Sequence, residues 1–175
     1  KIKMKKPSAN ESAQYYHYYI NQNKGTDVLG NLEKQISQVK KAFGSIPASK
    51  QNFRYAKGKW SIKELLGHLN DGERIFGYRA LRVARKDLTP LPGFDENLYV
   101  KNAHFEKRDM KSLLEEFVYL RKANIEMFRT FNAKELALKG TANSSPISVR
   151  ALAYIISGHT MHHLEILKER YLCKL

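Results

Sequence analysis

At 175 residues, with 42% hydrophobic and 11% aromatic side chains, the chain is sized for one domain with a sizeable core. Its apolar runs all fall short of the ~18–20 residues that cross a bilayer, which excludes a helical membrane protein. Cys173 is the single cysteine, which excludes an internal disulfide and fits a reducing cytoplasm. A formal net charge of +14 brings nucleic acid, anionic surfaces and anionic small molecules into consideration.

The start, Lys1-Ile2-Lys3-Met4-Lys5-Lys6, is basic, and no apolar signal segment follows it, so the expected compartment is the cytoplasm. Residues 1–25 read as an arm, irregular or briefly helical, laid on the core by Tyr15, Tyr16, Tyr18 and Tyr19. Residues 26–175 read as the domain. Thr26 or Asp27 can cap a first helix, in which Val28, Leu29, Leu32, Ile36, Val39 and Phe43 recur at helical spacing before Gly44 to Pro47 ends it.

From Lys34 to Lys63 there are eight cations and no acid. A solubilising surface is the plainer reading, and an anion-attracting rim is the functional one. No DNA- or RNA-binding motif accompanies the charge, so specific nucleic-acid recognition is not expected.

Ser61 followed by Glu64 is a capping box. The helix it opens runs to about Lys86, with Ile62, Leu65, Leu66, Leu69, Ile75, Phe76 and Val83 as its apolar stripe. His68 sits three residues after Leu65 and faces the core or its edge, with Asp71 expected on the same side. Residues 87–108 form a long crossover in which Thr89-Pro90-Leu91-Pro92-Gly93-Phe94 cannot be regular helix. Asp95, Glu96, Tyr99 and His104 on it are placed to reach a site. Asp109 starts a third helix with Leu113, Leu114, Phe117, Leu120, Ile125 and Phe128 inward. Gly140 to Pro146 reads as a loop, and no run alternates long enough for a strand. The expectation is an all-α, four-helix bundle.

The last helix, from about Ile147 to Tyr171, carries the chemistry. Ala151, Leu152, Ile155, Ile156, Ile166 and Leu167 mark its buried stripe. His159 and His163 lie on that stripe one turn apart, about 6 Å along the axis, so both imidazoles can converge on one ion. His162 points about 100° away and reads as a packing neighbour.

With His68 as a third ligand the set leaves an open fourth position, as catalytic metals do, where a water or a substrate thiol would have its pKa lowered. All-nitrogen ligation admits zinc, nickel, copper, cobalt or iron. The His-Glu-x-x-His pattern of zinc proteases is excluded, because Thr160 follows His159. No residue stands out as the general base.

Lys59-Trp60-Ser61-Ile62-Lys63-Glu64-Leu65-Leu66-Gly67-His68-Leu69, the crossover Leu91-Pro92-Gly93-Phe94-Asp95-Glu96 and the ending Gly158-His159-Thr160-Met161-His162-His163-Leu164 together resemble the DinB/YfiT-like superfamily over roughly residues 26–172. The resemblance implies an up-down-down-up four-helix bundle holding a divalent transition metal, nickel or zinc, on His68, His159 and His163. It also implies a function class. Several relatives transfer low-molecular-weight thiols such as bacillithiol to electrophiles, and others are described as metal-dependent hydrolases. A bundle that keeps its metal for stability or binding alone is the non-catalytic alternative. A homodimer is compatible with the family. One departure is Thr160, where many relatives have Glu.

Overall fold

The computed structural model describes residues 4–175; Lys1 to Lys3, where the expected arm begins, lie outside the described residues. In chain order the elements are α1 (His17–Gln22), α2 (Val28–Gly44), α3 (Ile62–Ala84), α4 (Glu96–Ala103), α5 (Met110–Arg129), α6 (Ala133–Leu136), β1 (Lys139–Ala142), β2 (Ser145–Ser148) and α7 (Val149–Ile166). The long helices begin where their caps dictate. Asp27 accepts from the Gly30 amide at 3.1 Å, and Ser148 accepts from the Ala151 amide at 3.1 Å. The Ser61–Glu64 box is closed in both directions, at 3.2 and 2.6 Å.

α3 packs against α5 and α7, and α2 packs against the same two helices. The consecutive helices α2 and α3 therefore stand at diagonal corners, and the long crossover joins the adjacent pair α3 and α5. This is the expected up-down-down-up four-helix bundle. No helix among the described residues is long and apolar enough to cross a membrane.

Three features differ from the expectation. The stretch expected as a loop from Gly140 to Pro146 holds an antiparallel hairpin, β1 with β2, turned by Asn143 and Ser144 at φ of 48° and 59°. Two left-handed residues in succession make the mirror-image turn that hairpins prefer. The crossover is also partly helical: Asp95 caps α4 by accepting from the Asn97 and Leu98 amides at 2.9 and 3.0 Å. The Thr89–Phe94 part is non-helical as expected, and it is tied to the hairpin. The Leu91 amide donates to Thr141 O and Leu91 O accepts from the Asn143 amide, both at 2.9 Å. The helix expected from Ile147 to Tyr171 is α-helical from Val149 to Ile166; Ile147 belongs to β2, and a wider π-type turn spans Leu167–Tyr171.

The bundle interior holds two apolar clusters with a polar layer between them. Gln35 lies between Leu32 and Val39 on α2, and Glu73 between Leu69 and Phe76 on α3. Arg121 lies between Phe117 and Ile125 on α5, and Thr160 between Ile156 and Leu167 on the last helix. His68, His159 and His163 sit at the same waist.

The segment before α1 is fastened to the start of α7. Glu11 accepts from Arg150 Nε and Nη2 at 2.6 and 2.5 Å and from Ser148 Oγ at 2.8 Å. Burial alone would raise the Glu11 pKa, but the hydrogen bonds from Arg150, Ser8 and Ser148 outweigh it and hold the carboxyl well below the usual range. A glutamate in the unfolded chain titrates near ~4.3. The stabilisation is therefore complete above that pH and is lost progressively as the pH falls below it towards the lower folded value. The urea midpoint of the wild type should drop between about pH 6 and about pH 3.5, and Glu11→Gln should start lower and drop less. Equal drops in the two proteins would contradict this account of the anchor.

Candidate metal centre

α3 delivers His68 from a buried run, Leu65-Leu66-Gly67-His68-Leu69, and α7 delivers His159 and His163 from its inner face; all three are buried. Their ring nitrogens converge. His68 Nε2 lies 2.9 Å from His159 Nε2, and His163 Nε2 lies 3.1 Å from that same atom. One ligand atom from each ring can be chosen so that all three fall within 4.8 Å of one another.

Two nitrogens bound to one tetrahedral ion at about 2.1 Å stand roughly 3.4 Å apart, so a slight spreading of the rings admits a cation. The cluster is poorly satisfied without one. A single proton or lone pair on His159 Nε2 cannot serve both neighbours, and His163 Nδ1 is buried with no hydrogen-bond partner. Burial, and secondarily the His162 charge, pushes the His68 pKa down to about 4. Burial and the neighbouring imidazoles hold His159 and His163 well below the ordinary histidine value. At neutral pH all three rings are therefore uncharged, the state a metal ligand requires.

A cavity of about 290 Å³ opens on this cluster, walled by Tyr16, Tyr19, Trp60, Phe76 and Phe94. The aromatic rings touch the ligands directly: Trp60 stands 4.7 Å from the His68 ring, and Tyr19 and Phe76 stand 5.5 and 5.7 Å from the His159 ring. A second cleft of about 260 Å³ reaches His163 from the other side of Trp60, between Lys59, Tyr171 and Glu96. Glu96 and Trp60 border both spaces.

The sequence candidates on the crossover separate here. Glu96 reaches the site. Asp95 is spent on capping α4, and His104 ends that helix in the left-handed region, exposed, 3.7 Å from Glu106. Tyr99 packs its ring 5.3 Å from Phe94, which does line the cavity, and itself borders a neighbouring cleft. Asp71, expected on the side of His68, instead sits among the charges of Arg74, Glu116 and Arg108 towards α5. Being three residues on, it is rotated about 60° from His68, enough to face a different helix. His162 packs between Tyr18, Tyr19 and His163, as its position on the helix suggests. Of the basic stretch, Lys59 borders the second cleft, whereas Arg54 is paired with Glu64 at 2.5 and 2.7 Å.

Sequence reasoning missed what lies behind the ligands. Arg121, fully buried, donates through Nη2 to Thr160 Oγ1 at 2.7 Å and to Glu73 Oε1 at 2.7 Å. Through Nη1 it donates to Gln35 Oε1 at 2.8 Å and Leu32 O at 3.1 Å. Thr160 is thus the hydroxyl acceptor that joins α7 to this ion pair, one residue from His159. The signal available in the sequence was a charged residue at a position flanked by Phe117 and Ile125 at four-residue spacing.

A four-helix bundle with an imidazole triad at its waist and a cavity above the triad defines the class. The sequence pattern of the DinB superfamily matches residues 31–167, and the chain belongs to that superfamily. Among solved structures it is similar to YfiT from Bacillus subtilis, described as "a probable metal-dependent hydrolase with an unusual four-helix bundle topology". The TM-score is 0.74 at 18% identity, over 95% of this chain and 91% of YfiT. At that identity the likeness concerns the fold. No curated protein matches the sequence.

Proposed function

We propose that the protein is a metal-dependent enzyme that holds one divalent transition metal, nickel or zinc, on His68, His159 and His163 and transfers a low-molecular-weight thiol to an electrophile. The observation that carries the metal reading is the convergence of three uncharged buried ring nitrogens, two of them 2.9 and 3.1 Å from the third, beneath a cavity. When bound, the cation would supply Lewis acidity and lower the pKa of a coordinated thiol.

The chain's own residues do the rest. Tyr16, Tyr19, Phe76 and Phe94 exclude water from the reacting pair. The two clefts that meet at His163 give separate room for a thiol and an electrophile, which a transfer needs. Glu96, bordering both, is the carboxylate placed to take the thiol proton as the sulfur–carbon bond forms and the leaving group departs. Lys59 favours an anionic thiol such as bacillithiol in the second cleft.

The second reading is hydrolysis. It is supported by the description of YfiT and by the same Glu96, which could deprotonate a water in place of a thiol. Metal-loaded protein should conjugate bacillithiol or another small thiol to a chloro-bimane above the uncatalysed rate, and a chelator should abolish the excess. Hydrolysis of an ester or amide panel without conjugation would transfer the assignment to the hydrolase. Neither activity would leave a binding or structural role.

Replacing His68, His159 or His163 by Ala should each lower metal occupancy strongly in elemental analysis, while His162→Ala and His104→Ala should leave it unchanged. Full occupancy in His159→Ala protein would contradict the ligand set. The net positive charge is proposed to serve no specific nucleic-acid recognition; any such binding should be weak and fall steeply with salt.

A further inference from the structure

The cavity over the histidines has one feature that metal ligation does not use. Arg79, three residues after Phe76 on α3, lines it and is 97% buried, its relative exposure being 3%. A buried guanidinium is costly unless paired with an anion. The bundle's other deeply buried arginine, Arg121, has Glu73. Among the described residues no carboxylate lies within ion-pair distance of Arg79. Its recorded partners are neutral: Nη2 donates to Pro92 O at 2.7 Å, and Nη1 donates to the Tyr16 hydroxyl at 3.3 Å. Its guanidinium carbon stands 5.8 Å from the centre of the Phe94 ring. Of five N–H donors, two are accounted for, so the fork has hydrogens left over for a bidentate acceptor.

We propose that Arg79 is the carboxylate anchor of the cavity and that the substrate held there is a small carboxylic acid with an apolar body, its reacting group at the end remote from the carboxylate. The proposal rests on the reading of this cavity as the substrate site. Position sets the shape. The His159 ring is packed against Gly72, and Arg79 stands two turns beyond Gly72 on the same helix, roughly 10 Å along the axis. Tyr16 and Phe94, which flank the guanidinium, and Phe76, whose ring centre stands 5.7 Å from that of His159, line the space between with apolar faces. The cavity volume is at the small end of ligand pockets. Glu96, the acid that also borders the space, is exposed at the mouth, where water screens it. The inward charge is that of Arg79.

The probes are 4-phenylbutyrate and 4-phenylbutyramide, alike in shape and different in charge. Their affinities for the purified protein are measured by titration calorimetry, with metal content determined on the same samples. The acid should bind about tenfold or more tighter than the amide. Arg79→Gln should reduce the difference to about twofold or less, and Arg79→Lys should keep part of it. His159→Ala should leave the preference in place.

Equal affinity of acid and amide for the wild type would overturn the proposal, and this comparison needs no variant to fold. A preference that survives Arg79→Gln but disappears in His159→Ala would place the carboxylate on the metal instead, overturning the anchor and supporting the metal centre. A preference that follows Arg79 in protein that takes up no metal would support the anchor while the metal reading fails.

Discussion

Glu73→Ala should destabilise the protein by about 3–5 kcal/mol, because it leaves the buried charge of Arg121 without its counter-ion. Arg121 has a side-chain exposure of 0% and Glu73 of 3%. All five guanidinium hydrogens are placed. Nε donates to the Glu73 carboxylate at 3.1 Å, Nη2 to Glu73 and Thr160, and Nη1 to Leu32 O and Gln35. Asn124 closes the far side by donating to Glu73 Oε2 at 2.9 Å.

Water entering the vacated space could accept some of these hydrogen bonds but could not supply the missing counter-charge. Replacing both members of the pair by apolar residues of similar volume, Glu73→Leu with Arg121→Met, should be less damaging than either single change, because no orphan charge remains. Urea unfolding of the two single variants and the double variant checks this. A loss below about 1 kcal/mol for Glu73→Ala would mean that the pair is not buried as described. Because Thr160 shares the network and adjoins His159, Glu73→Ala should also weaken metal uptake, even though Glu73 touches no ligand.

Gly158→Ala should detach the N-terminal segment from the bundle. A β-carbon at position 158 would meet Tyr19 O at 1.8 Å and Tyr19 C at 2.5 Å, and both are backbone atoms with no rotamer to escape into. α1 must move away from α7, and with it go the Tyr16 and Tyr19 walls of the cavity. Overpacking of this kind costs about 1–3 kcal/mol where the neighbours can shift.

The sharper readout is local. Limited proteolysis should cut the Gly158→Ala protein within residues 4–25 under conditions in which the wild type resists. Metal uptake should persist, since His68, His159 and His163 sit on α3 and α7. Gly44→Ala is the control, because its β-carbon would find only Leu114 Cδ1, at 3.7 Å. Unchanged protease resistance in Gly158→Ala would contradict the close approach of α1 to α7.

What the sequence made legible was whatever a single helix encodes by itself. The i, i+4 spacing placed His159 and His163 on one stripe, and the Ser61 box fixed the register that turns His68 inward. Helical period alone tolerates an error of one position. Leu120 read as inward, yet it is half-buried while Arg121 beside it is fully buried, because the pairing that rewards Arg121 comes from Glu73 on another helix. Asp71 failed for the same reason: its few tens of degrees of rotation decide between the cavity and α5.

The hairpin escaped notice because its strands are four residues long, Lys139-Gly140-Thr141-Ala142 has no alternating apolar face, and Asn143-Ser144 is a weaker signal for a mirror-image turn than Asn-Gly. α4 was hidden by the Pro92-Gly93 break just before its Asp95 cap. Arg79 could not be singled out at all. Its significance is that, among the described residues, no carboxylate lies within ion-pair distance of it, and that is a property of the packed bundle.

The central claim is that His68, His159 and His163 hold one metal ion under the cavity. It is tested most directly by anomalous-difference maps from crystals of protein loaded with nickel or zinc, recorded above and below the metal's absorption edge. The expected result is one peak per chain, about 2.0–2.1 Å from a ring nitrogen of each of the three histidines. Crystals of loaded protein with no peak among these three rings, or with the metal bound elsewhere, would contradict it.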